Sequence, residues 1–462
     1  LKPKISVLGT GYLGATHAAG LAEMGFEVIG LDVDAAKIDS LARGEVPFHE
    51  PGLDTLIQKH TASGRLRFTT AYAEAAAFAD IHFLTVGTPQ SAGGAADLRY
   101  VDAAVDALIP HLTRPCLVVG KSTVPVGTAA RLADRLVSLA PAGGTVDLAW
   151  NPEFLQEGRA VADTLSPDRI VVGVRTDVAE KLLREVYAGI LERGTPFLVT
   201  DLATAELVKV AANSFLATKI SFINAMAELC EATGADVTAL ARAIGHDARI
   251  GPRFLNAGVG FGGGCLPKDV RAFQARAREL GGDGAAGLLA QVDTINLRAR
   301  SRVLDMARTA LGGGLAARRI AVLGAAFKPD TDDVRDSPAL DVATEAARAG
   351  AEVSVYDPMA AESGAAARPE LDFAPSLEAA VTGADLVMLL TEWEEFRAAD
   401  PRRLAALVGA RRLVDGRNAL DHKAWAAAGW SVQAPGRAPL AGDPALNDLA
   451  LSDRGPYEPG AA

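Results

Sequence analysis

The chain has 462 residues, room for roughly two to four domains of ordinary size, and 49% hydrophobic with 22% charged residues argues against global disorder. Forty-six basic against fifty-seven acidic residues leave a net charge of −11, which disfavours a nucleic-acid partner while allowing a local basic pocket for a small anion. Three cysteines, Cys116, Cys230 and Cys265, are too few and too scattered for a disulfide framework or a zinc knuckle, so no metal site and a reducing, cytoplasmic setting are expected.

Residues 5–22 carry no formal charge after Lys2 and Lys4, in the manner of a signal peptide, but Gly9, Gly11, Gly14 and His17 interrupt the apolar run. The spacing instead predicts a strand over 4–9, a helix ended by Gly25 and a strand over 26–32 ended by Asp32, which is a βαβ unit. Gly9, Gly11 and Gly14 form G-x-G-x-x-G between strand and helix, and Asp32 follows eighteen residues after Gly14. Such glycines permit a tight turn and close approach of a pyrophosphate to a helix N-terminus. An acidic side chain at Asp32 accepts ribose hydroxyls and repels a 2′-phosphate, favouring NAD over NADP. The plainer reading is a tight turn alone.

Further on, Lys121, Ser122 and Thr123 follow an apolar strand, and Glu153 and Glu157 sit four apart after another, around Phe154 and Leu155. From Asp201 to Thr233 there is neither glycine nor proline; Thr200 or Asp201 can cap the start and Gly234 the end, so one long spine helix is predicted. Within it Lys209 and Asn213 lie one turn apart among Val208, Val210, Ala211 and Ala212. They either hold an oxyanion or form a solvated edge.

Residues 259–269 bring glycines up to Cys265, with Pro267 placed as the first helical residue. A cysteine at a helix N-terminus is biased toward thiolate. Lys268 adds positive charge, and Asp269 lies four residues on, where it can act as a base. Cys116, before an apolar strand, and Cys230, inside a helix, read as core. Gly312 to Gly314 marks a hinge. A second βαβ unit follows over 319–324 and 351–357, ended by Asp357; residues 79–85 and 384–391 echo each other in the same way. Its first turn is longer and carries Lys328 and Arg335, which suit a phosphate-bearing ligand or decorate a surface loop.

The expected fold is therefore α/β: two Rossmann-like doubly wound parallel-sheet domains joined by a long central helix and helical linker region. The predicted divisions are a dinucleotide domain over 1–200, a central helical domain with the cysteine loop over 201–312, a second Rossmann-like domain over 313–440, and a disordered tail over 441–462.

Taken together, these stretches resemble the UDP-glucose 6-dehydrogenase family over roughly residues 4–435. They are 9–14, 86–89 (Val-Gly-Thr-Pro), 122–127 (Ser-Thr-Val-Pro-Val-Gly), 151–155 (Asn-Pro-Glu-Phe-Leu), 206–213, 260–269, 327–335 and 415–418 (Asp-Gly-Arg-Asn). The resemblance implies oxidation of a sugar C6 alcohol to a carboxylate in two NAD-dependent hydride transfers. Cys265 would capture the aldehyde as a thiohemiacetal and then carry a thioester. Asp269 and Thr123 would manage a proton and a water, Lys209 and Asn213 an oxyanion, and Glu153 the hydrolysis. Leu13, Asp32, Lys37, Thr88, Thr123, Glu157, Lys268 and Arg335 would join Gly9, Gly11 and Gly14 around NAD. For the nucleotide sugar the resemblance implies Phe154, Leu155, Gln156, Glu157, Lys209 and Asn213. It adds Phe254, Leu255, Asn256, Ala257, Gly258, Gly262, Phe327, Lys328 and Arg417. Arg249 would reach a neighbouring subunit's substrate, in a homodimer or higher oligomer about the spine helix. Leu13 and Ala225 depart from the usual family residues, outside the implied chemistry. GDP-mannose dehydrogenases share most of these motifs; residues 249–255 look more like the UDP-glucose branch, and a UDP-N-acetylhexosamine is a further alternative.

Overall fold

The computed structural model describes residues 2–442, so the expected tail falls almost wholly outside the described residues. The described residues divide into two compact units: those up to Asn213 with Arg271–Ala286, and Ser214–Val270 with those from Gly287 onward.

The first unit is built on an eight-stranded sheet ordered β3-β2-β1-β4-β5-β6-β7-β8. Its strands are β1 Ile5–Leu8, β2 Val28–Leu31, β3 Leu66–Thr69, β4 Ile81–Leu84, β5 Cys116–Gly120, β6 Val146–Trp150, β7 Ile170–Gly173 and β8 Phe197–Thr200. β1, β2 and β4 are buried along their whole length and are therefore mostly apolar; the two polar residues in them, Ser6 on β1 and His82 on β4, pair with each other at 2.7 Å. Ala15, Ala18, Ala19 and Ala22 on the helix Tyr12–Glu23 are fully buried, and their small side chains allow the helix a close approach to its neighbours. The expected doubly wound parallel sheet is present, with one antiparallel junction added: β7 meets β6 antiparallel at Trp150 and Gly173, and β8 then runs parallel to β7. The chain leaves β1 toward β2 and β3, then returns to β4 on β1's other side, and that reversal opens a crevice beyond the carboxyl ends of β1 and β4.

The second unit carries a wholly parallel six-stranded sheet, β11-β10-β9-β12-β13-β14. The strands are β9 Arg319–Leu323, β10 Glu352–Tyr356, β11 Asp372–Phe373, β12 Leu386–Leu389, β13 Arg412–Asp415 and β14 Ser431–Gln433. Its strand order repeats that of the first six strands of the other sheet, so the two βαβ echoes in the sequence become equivalent positions.

The helix Leu202–Thr233 runs for 32 residues, about 48 Å at 1.5 Å per residue. Asp201 caps it by accepting from the Thr204 amide at 2.8 Å, and Gly234 ends it at φ +74°. A second long helix, Asp283–Ala310, ends at the glycine trio. There Gly313 N donates to Arg308 O at 2.8 Å, with Gly312 and Gly313 both at positive φ. The trio expected as a hinge is thus a helix stop, because its left-handed glycines satisfy the last carbonyls. Among the described residues no helix is long and apolar enough to cross a membrane, and no cluster of His, Cys, Asp and Glu could hold a metal ion.

Candidate active site

In the first unit the three glycines after β1 do different work. Gly9 sits at φ +94°, where an added Cβ would lie 2.8 Å from Val86 Cγ1. A Cβ on Gly14 would fall 1.7 Å from Gly9 O, so that glycine is demanded by packing. Gly11 is the N-cap of the helix Tyr12–Glu23, with ordinary φ of −69° and nothing within 4 Å of a Cβ position. Its missing side chain leaves open space beside a helix N-terminus that no side chain caps. Leu13 is partly buried on the same first turn.

Asp32, just after β2, is 8% exposed. Its Oδ2 accepts from Thr10 N at 2.8 Å and Lys37 Nζ at 3.0 Å, and its Oδ1 from Asp34 N at 3.1 Å. Burial alone would raise its pKa, but Lys37 and these two amides hold it below the usual carboxylate value. An open glycine cradle followed by an ionised carboxylate at the next strand end fits NAD. Thr88, after β4, donates its hydroxyl to Thr123 O at 2.8 Å and so ties the ends of β4 and β5.

Beyond β6, Glu153 Oε1 pairs with Lys209 Nζ at 2.9 Å, and Glu153 Oε2 accepts from Leu155 N at 2.6 Å. Lys209 is 4% and Asn213 8% exposed, which excludes the reading of a solvated helix edge. The Arg169 guanidinium stacks 3.8 Å from the centroid of the Phe154 ring, and Lys209 Nζ lies 5.7 Å from it. Phe154, Leu155 and Gln156 line one cavity with Glu153; Glu157 follows on the same loop. Sequence reasoning missed Glu50. This carboxylate, 2% exposed, accepts from Tyr12 Oη, from Gly158 N at 2.8 Å and from Val161 N at 3.2 Å, tying the glycine-loop helix to the Glu153 loop. Its only sequence signal is a glutamate just before Pro51 and Gly52, which does not announce burial.

In the second unit Cys265 is exposed, and its carbonyl accepts from Asp269 N at 2.9 Å. It is therefore the N-cap of the helix Leu266–Glu279, and Pro267 is the second helical residue rather than the first. The glycines before it let backbone pass close to the long turn after β9. A Cβ on Gly262 would lie 2.3 Å from Asp336 O, on Gly263 2.7 Å from the Phe327 ring, and on Gly264 2.4 Å from the Arg335 guanidinium carbon. Phe261 is clasped on both sides by Asn296, N to Oδ1 at 2.7 Å and O to Nδ2 at 3.0 Å, and Arg300 donates to the same carbonyl at 3.1 Å. Neither Asn296 nor Arg300 stood out in the sequence.

Lys268 Nζ lies 2.6 Å from Asp269 Oδ1, so its charge is shared with a buried carboxylate. Arg335 forks onto Asp333, Nε to Oδ1 at 2.9 Å and an Nη to Oδ2 at 2.5 Å. Cys116 opens β5, part-buried and packed against the core at its edge; burial pushes its thiol up to about 11. Cys230 is buried as expected, and desolvation raises its pKa too.

One groove of about 850 Å³ in this unit is lined by Phe254 to Gly258, Gly262, Phe327, Lys328 and Arg417. Phe254 adopts φ +63° at its rim. Arg417 is also a clamp, because its guanidinium donates to Leu390 O at 2.7 Å, Gly260 O at 2.9 Å and Phe327 O at 3.0 Å. Arg249 stands apart from the groove, with its side chain 89% exposed and paired to Asp247.

Residues 3–191 match the NAD binding domain of the UDP-glucose/GDP-mannose dehydrogenase family, 203–298 its central domain and 321–422 its UDP binding domain. A UDP-glucose 6-dehydrogenase of Bacillus subtilis is 39% identical over 434 residues, covering 94% of this chain and 97% of the relative. One of Rhizobium meliloti is 42% identical over 418 residues, 90% and 95% of the two chains. Among solved structures, a UDP-glucose dehydrogenase from Pyrobaculum islandicum superposes with a TM-score of 0.86 at 38% identity, covering 92% and 96%. A UDP-D-ManNAc dehydrogenase from Pyrococcus horikoshii gives 0.84 at 28%, covering 94% and 99%, and a GDP-mannose dehydrogenase from Pseudomonas aeruginosa 0.52 at 28%, covering 91% and 97%. With its glycine cradle, its anionic Asp32 and its matches along the whole length, the chain belongs to the UDP-glucose/GDP-mannose dehydrogenase family and is an NAD-dependent oxidoreductase acting on a nucleotide sugar.

Proposed function

We propose that the substrate is UDP-glucose and the product UDP-glucuronate. The observation that carries this reading is the groove: Phe254 to Gly258, Gly262, Phe327, Lys328 and Arg417, which the family resemblance implies for the nucleotide sugar, line one cavity. A lysine beside aromatic and backbone polar groups suits a diphosphate with a base. The TM-score of 0.86 against 0.52 for the GDP-mannose enzyme favours a UDP sugar. A UDP-N-acetylhexosamine is the second reading, supported by the Pyrococcus superposition.

The Gly9–Gly14 turn, Asp32 and Lys37 with Leu13, Thr88, Thr123, Glu157, Lys268 and Arg335 would hold NAD, which when bound would supply the hydride acceptor for each oxidation at C6. Thr123 and Asp269 order a water and take the alcohol proton. Cys265 attacks the aldehyde carbon, the S–C6 bond forms, and Lys209 and Asn213 hold the resulting oxyanion. Once C6 is a thioester, Glu153 takes a proton from the attacking water, the C–S bond breaks, and Cys265 leaves as thiolate. Phe154 to Glu157 help position the sugar.

The assembly we propose is a homodimer about the long helix. Phe215, Phe222 and Leu229 on Leu202–Thr233 are 67%, 49% and 58% exposed and recur every seventh residue, an apolar seam suited to a second copy. Arg249, exposed and unused by its own groove, is then the residue assigned to a neighbour's substrate. The cytoplasm is the proposed location, where the thiols of Cys116, Cys230 and Cys265 stay reduced.

A panel of UDP-glucose, UDP-N-acetylhexosamines and GDP-mannose, followed by NADH absorbance, tests the reading. UDP-glucose should give the highest kcat/KM, with two NADH per acid formed. Turnover of GDP-mannose alone, or one NADH per sugar, would overturn it.

A further inference from the structure

Lys121 is a buried charge that the scheme above leaves unused. It follows β5 and is 7% exposed. Its Nζ donates to Asn151 Oδ1 at 3.0 Å. The same oxygen accepts from the Tyr187 hydroxyl at 2.5 Å, and the Asn151 amide donates to Val171 O at 2.8 Å. Asn151 is the root of the loop that carries Glu153 two residues later.

Lys121 and Glu153 line one cavity of about 60 Å³ together with His17, Asn151 and Tyr187. That space admits about two waters. His17 Nε2, on a side chain 3% exposed, has no hydrogen-bond partner among the described residues and lines the same cavity. Glu153 also pairs with Lys209 at 2.9 Å, so a single carboxylate has a lysine on the long helix and a second lysine within its own cavity.

We propose that Lys121 is a positioning residue for the hydrolytic half of the reaction: its charge shares the cavity of the Glu153 carboxylate, and its bond to Asn151 fixes the loop's root. This rests on the reading of Glu153 as the hydrolytic base. The hydrogen bond to Asn151 is to a neutral group, so the opposite charge facing Lys121 in the cavity is that of Glu153. Burial lowers its pKa to about 8; Glu153 opposes that shift and Lys209 adds to it. Of the other titratable groups facing the cavity, His17 is held neutral by burial and by Lys121, and burial keeps Tyr187 protonated. Asp163, raised by burial, lines it with Asp168 and Arg169.

The test is the pH dependence of acid release in a single turnover, with UDP-glucose and saturating NAD. Lys121→Met and Lys121→Gln should both move the acid limb to higher pH by about half a unit or more, because the carboxylate loses a nearby cation. Lys121→Arg should restore it toward the parent. A role confined to holding Asn151 would lower the rate equally at every pH, and an unmoved acid limb in Lys121→Met overturns the proposal. Glu153→Gln separates the two readings. If it abolishes the limb while Lys121→Met leaves it in place, only the role of Lys121 fails; if it keeps the parental limb, Glu153 is not the base and both fail.

Discussion

Lys209 Nζ lies 2.9 Å from Glu153 Oε1, with the two side chains only 5% and 12% exposed. Removing one partner of such a pair strands the other as an uncompensated buried charge. Lys209→Met should therefore cost about 3–5 kcal/mol in urea unfolding, in addition to abolishing turnover. Lys209→Met combined with Glu153→Gln should recover much of that stability and none of the activity. Additive losses in the double variant would show that the pair is not coupled.

The glycine loop gives a contrast between two neighbouring positions. Gly11 has open space around its Cβ position, so Gly11→Val should fold normally yet lose NAD binding by a factor of about ten or more. Gly14→Ala would force a Cβ to 1.7 Å from Gly9 O, so it should lower the melting temperature or prevent folding. NAD titration by fluorescence beside thermal melts separates the two. A Gly11→Val protein that binds NAD as the parent does would remove the glycine cradle as the cofactor site.

Asp32 and Lys37 together set cofactor choice. Asp32→Ala removes the carboxylate and frees the Lys37 ammonium, 3.0 Å from it, for a 2′-phosphate. NAD kcat/KM should fall about 10–100-fold, as for loss of charged hydrogen bonds, while that for NADP rises. An unchanged NAD to NADP ratio would contradict this.

Lys121 also makes stability depend on pH. In the unfolded chain it titrates at 10.5, in the folded protein at about 8. Between those values the unfolded chain binds more protons, so stability rises as pH climbs from 8 toward 10.5, and below 8 the full cost of the buried charge stands. Lys121→Met should therefore be more stable than the parent at pH 7 by on the order of 2 kcal/mol, after the lost bond to Asn151. That advantage should shrink through the alkaline window. Melts at neutral and alkaline pH check it; a variant less stable than the parent at both contradicts it.

Much of the fold was legible because burial writes itself as pattern. β1, β2 and β4 are covered on both faces and so are mostly apolar, with only the paired Ser6 and His82 polar, and Asp201 and Gly234 bracket the long helix with ordinary capping chemistry. The reversal at β7 was not legible, since a short buried strand reads alike in either direction. Nor were Glu50, Asn296 and Arg300, whose burial is set by backbone partners distant in sequence. Arg417 was read as a groove residue, but its three carbonyl acceptors also make it the clamp that shapes the groove. A helix N-cap at Cys265 followed from the glycine approach and Pro267, one residue out of register.

Cys265, exposed at the start of its helix, is the proposed covalent carrier of the half-oxidised sugar. Glu153→Gln should slow thioester breakdown, so that acid-quenched turnover with UDP-glucose and NAD accumulates an acyl adduct. Peptide mass spectrometry should find that adduct on Cys265 alone. An adduct on Cys116 or Cys230, or none on any cysteine while NADH still forms, would contradict the account.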